Sequence, residues 1–151
     1  MELEDLDSQY KQIIDRMGMR YFDRQGKPLD LMEWARILDN DPLRIVAQEI
    51  VGRYFVSTVW VGLNMNLFGS TPLIFETMIF LANKEDNEEK NPLAFYQERY
   101  ETEEQAFKGH EEAMAICRAQ ILIEKGSAML EQCQAAGILK DSQSEELGPS
   151  A

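Results

Sequence analysis

The chain has 151 residues, 44% of them apolar and 28% charged, a composition typical of a globular domain that folds without disulfides or a structural metal. Asp and Glu outnumber Lys and Arg by 27 to 15, and the formal net charge of −12 argues against direct binding to nucleic acid or to an anionic membrane. The excess of acid either serves solubility alone or favours a protein partner with a basic surface.

The first forty residues predict two helices and a short strand. Apolar residues at three- and four-residue steps predict an amphipathic helix over residues 3–17. A short strand follows over Met19–Phe22. Asp30 can cap the next helix and Glu33 completes a capping box, while the Asn-Asp-Pro sequence at 40–42 is predicted to end that helix.

The middle of the chain predicts a series of strands. β-branched and aromatic residues favour strands over Leu43–Val51, Tyr54–Leu63 and Pro72–Phe80. Both faces of Tyr54–Leu63 are largely apolar, so we expect this strand inside the sheet. A solvated charged loop over Leu81–Lys90 and a short edge strand over Phe95–Tyr100 complete the series.

The C-terminal third predicts helices. Thr102 and Gln105 form a second capping box, and a helical pattern runs from there to about Lys125. Gly126 is predicted to break this helix, and a further helix is predicted to end at Gly137.

These elements predict an α+β fold, a small antiparallel β-meander packed by helices, with an added N-terminal helix and a C-terminal helical extension. We expect one domain over residues 1–140 and a disordered acidic tail over residues 141–151. One face of the meander would be covered by the helices that begin near Asp30 and Thr102.

The cysteines and the N-terminal sequence favour a cytoplasmic protein. Cys117 and Cys133 lie apart without CxxC spacing, and with a single histidine in the chain we predict reduced thiols, no metal site and no cofactor. The acidic start MELEDLDSQY differs from a signal peptide, and no apolar run approaches the ~20 residues of a membrane helix.

Two ionisable residues are weak candidates for catalysis. Glu76 lies among apolar neighbours on a predicted strand, where burial would raise its pKa. Alternatively, it lies at an edge or on the solvent side of the sheet, or it pairs with Arg53 or Arg99. His110 is the single histidine. It either acts as a base beside Glu76 or beside a hydroxyl such as that of Ser57 or Thr58, or it forms a hydrogen-bonded contact between helix and sheet. The preceding Gly109 favours close packing there.

The loop after the long central strand is the best candidate for a binding feature. Its apolar side chains would be exposed at the tip of a hairpin, which is typical of an interface, unless the loop folds back onto a helix of the same chain. The candidate binding residues are Asn64, Met65, Asn66, Leu67 and Phe68.

Three segments carry a family resemblance: VSTVWVGLN, PLIFETMIF and RYETEEQAFKGHEEAM. With these segments the chain resembles a group of small uncharacterised proteins encoded by bacteriophages and prophages, over about residues 20–117. The resemblance implies an accessory protein that acts in the bacterial cytoplasm, with no activity attached to it. Asn64 and Met65 stand where the group has Asp and His, which argues against a catalytic or metal site in the loop.

We therefore weigh three functions. The first is non-enzymatic binding of a protein, with homo-oligomerisation as a further expectation. One form of it is inhibition of a host defence protein or a nucleic-acid-binding protein by an acidic surface. The second is binding or sequestering of a small ligand such as a nucleotide, for which Arg20, Arg24, Arg44, Arg53 and Arg99 are available. The third is an enzyme that uses Glu76 and His110 as an acid–base pair.

Overall fold

A four-stranded antiparallel sheet and one long helix form most of the structure. The computed structural model describes residues 8–10, 12–13, 20–64, 71–83, 85 and 88–138. Most of the predicted first helix and the predicted acidic tail lie outside these residues, although 8–10 and 12–13 are helical. The strands are β1 (Tyr21–Phe22), β2 (Pro28–Leu29), β3 (Ile45–Val51), β4 (Tyr54–Trp60), β5 (Phe75–Leu81) and β6 (Gln97–Tyr100). The helices are α1 (Leu31–Leu38), α2 (Asp41–Arg44) and α3 (Glu103–Ala135), with a 3-10 turn at Glu88–Lys90.

The large sheet has the order β3-β4-β5-β6, and each strand pairs antiparallel with the next. The predicted α+β fold with an antiparallel meander is therefore confirmed, and so is the interior position of β4. β1 and β2 form a separate two-stranded sheet, and Tyr21 forms an isolated bridge to Leu63 in the segment that follows β4.

The core lies on one face of the large sheet, which α3 crosses. Buried side chains from β4 and β5 meet the helix there in two clusters. Trp60 is fully buried, and Trp34 of α1 packs against its cluster. The indole nitrogens donate to backbone oxygens, Trp34 to Val61 (2.9 Å) and Trp60 to Phe22 (3.1 Å), so both tryptophans combine apolar burial with a satisfied polar atom.

Both predicted capping boxes are present. The Asp30 carboxylate accepts from the amide of Glu33 (2.8 Å), and the Thr102 hydroxyl accepts from the amide of Gln105 (3.2 Å). Each cap satisfies an amide of the first helical turn that has no partner within the helix. The caps are local in sequence, because the capping side chain and that amide are three residues apart.

The predicted break at Gly126 is wrong, because α3 continues through it as one helix of 33 residues. A helical glycine costs about 1 kcal/mol relative to alanine, which the good helix formers on both sides outweigh. The helix ends before Gly137, which adopts a positive φ of 70° as a helix-terminating glycine often does.

Three strands of the large sheet begin later than predicted, and one of them is β5, which begins at Phe75 instead of Pro72. Pro42 lies in the first turn of α2, where its missing amide proton costs no hydrogen bond, so β3 begins at Ile45 instead of Leu43. Phe95 lies in a turn, fully exposed, and β6 begins at Gln97.

Candidate binding surface on the open face of the sheet

His110 lies on the helix-covered face, in a buried polar network. Its Nδ1 is 2.8 Å from the Thr58 hydroxyl, which in turn is 2.7 Å from the Thr77 hydroxyl. The side chains of all three residues are buried, and His110 is 1% exposed. The His110 Nε2 lies 3.4 Å from a carboxylate oxygen of Glu49, which is half-exposed on β3. The network holds α3 to the sheet, in agreement with the expectation that His110 forms a hydrogen-bonded contact between helix and sheet.

Gly109 allows this close approach. A Cβ at Gly109 would overlap the ring and hydroxyl of Tyr100 on β6. The prediction that Gly109 serves close packing of the helix on the sheet is therefore confirmed.

Glu76 lies on the opposite face of the sheet from His110. Thr77 points toward the helix and His110, and neighbouring residues of a strand point to opposite faces. The sheet therefore separates Glu76 from His110, and the two do not form an acid–base pair.

Glu76 instead pairs with residues of the neighbouring strand. One of its carboxylate oxygens is 2.7 Å from Arg99 Nη2 and accepts from Gln97 Nε2 at 2.6 Å. Arg99 is also its partner in the β-ladder. Of the two expected ion-pair partners, Arg99 is the correct one. Arg53 pairs with Glu124 at 3.0 Å.

The open face is the sheet face that carries Glu76. The sheet register assigns to it the side chains of Gln48, Ile50, Phe55, Ser57, Val59, Glu76, Met78, Phe80, Gln97 and Arg99. The described residues that pack on the sheet as core lie on the other side. Over the part of the chain that the structure describes, Ile50 and Phe80 on this face are exposed to a partner, whereas Ser57 and Glu76 are buried.

The open face has an apolar end and a polar end. Ile50, Phe55 and Phe80 form one cross-strand row, with the two phenylalanine rings 6.4 Å apart between centroids. Ile50 is 66% exposed and Phe80 36%. Toward the polar end, Gln48 donates to the buried Ser57 hydroxyl at 3.0 Å.

A shallow groove runs along this face from the apolar row toward Glu76. Its volume is about 360 Å³, near the lower end of the range for small-molecule sites. Its chemistry is mixed, since Phe80 and Met78 lie beside Gln48, Ser57 and Glu76.

Four of the five arginines considered for anion binding contact carboxylates of the same chain. The pairs are Arg24 with Glu103, Arg44 with Asp41, Arg53 with Glu124, and Arg99 with Glu76. A phosphate ligand would have to compete with these carboxylates. Arg20 is exposed.

A second polar cluster lies near the other end of the sheet, where Glu124 of α3 meets Arg53 and the Tyr54 hydroxyl. Burial raises the pKa of Glu124, but hydrogen bonds from Tyr54, Arg53 and Gln120 outweigh it, so the pKa lies below its ordinary value. Burial also raises the pKa of Tyr96 to about 12.

The two thiols differ in environment. Both are free, but Cys117 is fully buried between α3 and the sheet, and Cys133 is half-exposed. Burial raises the pKa of Cys117 to about 11, which keeps its thiol protonated and unreactive.

Within the described ranges, no three His, Cys, Asp or Glu side chains converge on a possible metal position. None of the helices in those ranges is long and apolar enough to span a bilayer.

The candidate loop is only partly described. Asn64 donates its amide proton to the carbonyl of Arg20 (3.1 Å), and Met65, Asn66, Leu67 and Phe68 lie outside the described residues. The proposal that these residues form an interface stays a prediction.

The apolar row of the open face was not predicted as a site. A signal was present in β4, whose two faces are both apolar, because a strand covered on one side only normally alternates apolar with polar residues. That pattern predicts an interior strand, which is correct. The same pattern also indicates that one apolar face of β4 has no second layer of the described residues packed on it.

No protein-family model, curated protein or solved structure matches this chain. The resemblance to phage and prophage proteins therefore stays a prediction.

Proposed function

We propose that this protein acts by non-enzymatic protein binding and that its partner docks on the open face of the sheet. The observation that carries the proposal is the apolar row of Ile50, Phe55 and Phe80 on a face that α3 does not cover, in which Ile50 and Phe80 are exposed. Apolar surface of this kind gains free energy when a partner removes it from water, by about 25 cal/mol for each Å².

The partner that fits best is an amphipathic segment. Its apolar side chains would lie on Ile50, Phe55 and Phe80, and a polar group would reach Gln48 or the Glu76–Arg99 pair at the other end of the groove. Binding of an amphipathic helix in a groove is a common form of recognition. Because Arg99 already neutralises Glu76, apolar contact supplies most of the affinity.

The acidic surface has a different role in this proposal. Exposed acids lie on β6, in the connection that follows it and on the N-terminal half of α3: Glu98, Glu101, Glu104, Glu111 and Glu112. Their field accelerates the approach of a partner with a basic surface, without contributing to the apolar contact. A bacterial protein that binds nucleic acid carries such a surface. Inhibition of a host defence or nucleic-acid-binding protein in the bacterial cytoplasm is therefore one form of the proposal, in line with the phage resemblance.

The alternatives have less support. Sequestering a nucleotide would require free cations, and Arg24, Arg44, Arg53 and Arg99 each contact a carboxylate. An enzyme based on Glu76 and His110 would require the two side chains to meet, and the sheet separates them.

The test compares two matched substitutions. Ile50 on the open face and Met32 on α1 are both 66% exposed, so Ile50→Glu and Met32→Glu place a charge at equally accessible positions. Each tagged variant is used to capture proteins from lysate of the bacterium that carries the gene, at low and high salt. We expect one stoichiometric partner with the wild type and with Met32→Glu, retained at high salt, and at least tenfold less of it with Ile50→Glu.

Two results would refute the proposal. Equal capture of the same partner by Ile50→Glu would show that the open face is not the docking surface. A partner lost from the wild type at high salt would show that charge, and not apolar contact, supplies the affinity. Far-UV circular dichroism of both variants confirms that each is folded.

A further inference from the structure

The outward surface of α3 changes character along its length. In the N-terminal half it is acidic and carries Glu104, Glu111 and Glu112, while Ala113 and Cys117 on the inner side are buried. From Lys125 to the end of the helix, the described residues are exposed except Cys133, which is half-exposed. The last part of the helix therefore extends beyond the body of the protein.

The C-terminal half nevertheless has an apolar face. At about 100° per residue, its apolar and small residues lie on one side of the helix, about 180° from the side that the N-terminal half buries against the sheet. This outer stripe comprises Ala119, Leu122, Ile123, Gly126, Met129, Leu130 and Cys133. Its four large side chains are between 55% and 68% exposed.

The outer stripe alternates small and large residues with a heptad period. Ala119, Gly126 and Cys133 recur at seven-residue steps, and Leu122 and Met129 recur at the same step between them. These two series occupy the a and d positions of a coiled coil, while Ile123 and Leu130 flank them at e.

We propose that the outer stripe is the interface of a homodimer in which the C-terminal halves of two α3 helices pair antiparallel about a two-fold axis near Gly126. This interface is separate from the open face, and the proposal does not depend on the proposed function.

The alternation of size requires the antiparallel arrangement. In antiparallel pairs, a positions of one helix face d positions of the other, so the small series of each copy receives the large series of its partner. In a parallel pair each residue would face itself, leaving voids at Gly126 and at Ala119. Pairing of parallel helices along their whole length would also place Lys108 and Glu112 against their own copies, because these residues continue the same heptad.

Gly126 independently points to a closely approaching helix. Glycine in a helix costs about 1 kcal/mol relative to alanine. A Cβ at this position would meet no atom within 4 Å, so packing within the chain does not account for the glycine. The close approach of Leu122 or Met129 from a second copy does account for it.

The geometry is compatible with two-fold symmetry. The sheet lies on the inner side of α3, about half a helical turn from the outer stripe, and therefore does not obstruct a second helix. Pairing over about four turns would bury on the order of 1,000 Å² in total, which is the small end of specific interfaces. We therefore expect a dimer that dissociates on dilution.

The first experiment is sedimentation equilibrium over a wide concentration range. We expect the wild type to associate to a dimer as its concentration rises, and Leu122→Gln/Met129→Gln to remain a monomer with an unchanged circular dichroism spectrum. Phe107→Gln is the control, since Phe107 is half-exposed on the N-terminal half of the same helix. A wild type that stays monomeric, or a dimer insensitive to the double substitution, would overturn the proposal.

The second experiment determines the direction of pairing by oxidation with diamide. In the two antiparallel registers that match small to large residues, Cys133 faces either Leu122 or Ala115 of the second copy. We expect either Leu122→Cys or Ala115→Cys to give a dimer linked to Cys133, identified by peptide mapping. The wild type should not cross-link. Efficient Cys133–Cys133 linkage in the wild type, or linkage with neither variant, would exclude the antiparallel arrangement.

Discussion

The two interior glycines of α3 give a direct test of the packing described above. The same substitution, Gly→Ala, is expected to have opposite effects at Gly109 and Gly126. At Gly126 a Cβ meets no atom within 4 Å, whereas at Gly109 it would overlap the Tyr100 ring. Both positions gain the same helix propensity, so the difference between the two variants isolates the contact with Tyr100.

The expected free energies follow from two opposing terms. Alanine in place of a helical glycine stabilises by about 1 kcal/mol. Overpacking costs about 1–3 kcal/mol, and we expect the upper end at Gly109 because the Tyr100 hydroxyl is itself buried. Gly109→Ala should therefore lower the free energy of unfolding by about 2 kcal/mol, and Gly126→Ala should raise it by up to about 1 kcal/mol.

The assay is urea unfolding monitored by circular dichroism. Both substitutions are made in the Leu122→Gln/Met129→Gln background, so that association does not contribute. Gly109→Ala at wild-type stability or above would refute the packing argument. A second check uses Tyr100→Ala, in which Gly109→Ala should no longer destabilise, because the group that it would overlap is gone.

Three further predictions concern buried or paired groups. His110→Ala should lower the free energy of unfolding, measured in urea, by about 2–4 kcal/mol, because it opens a cavity and leaves a buried hydroxyl with one partner fewer. The control is Lys108→Ala at an exposed position, which should change this free energy by less than about 0.5 kcal/mol. The folded-state pKa of Glu124 lies below its ordinary value, so the stability that it contributes is present above about pH 4.5 and is lost as the pH falls below that value. Urea titrations from pH 7 to pH 3 should show a smaller acid-side loss in Glu124→Gln, and an equal loss would contradict the pairing. With a thiol reagent at neutral pH, Cys133 should react in the folded protein and Cys117 only after unfolding, and two fast thiols in the native state would contradict the burial of Cys117.

The sequence by itself determined the local features. The capping boxes at Asp30 and Thr102 span four residues each, so the residues that form them are readable without the fold. The strand order was also predictable, because strands that follow one another in the sequence usually lie next to each other in a sheet. The role of Gly109 followed in the same way, since a helical glycine next to buried residues indicates close packing.

Contacts between distant residues were decided by the tertiary structure. Glu76 and His110 are 34 positions apart in the sequence, and only the register of β5 and the path of α3 place them on opposite faces of the sheet. A shift of one residue in register would have moved Glu76 to the covered face. The choice of Arg99 over Arg53 as its partner has the same origin.

The sequence of α3 shows two apolar faces, but which of them is buried within the chain depends on where the sheet ends. The N-terminal half packs on β4 and β5, and the C-terminal half extends past them, so that Leu122 and Met129 are exposed. Periodicity identifies which residues share a face of the helix. Only the position of the sheet decides which face is buried within the chain and which is left for a partner, because burial depends on residues far away along the sequence.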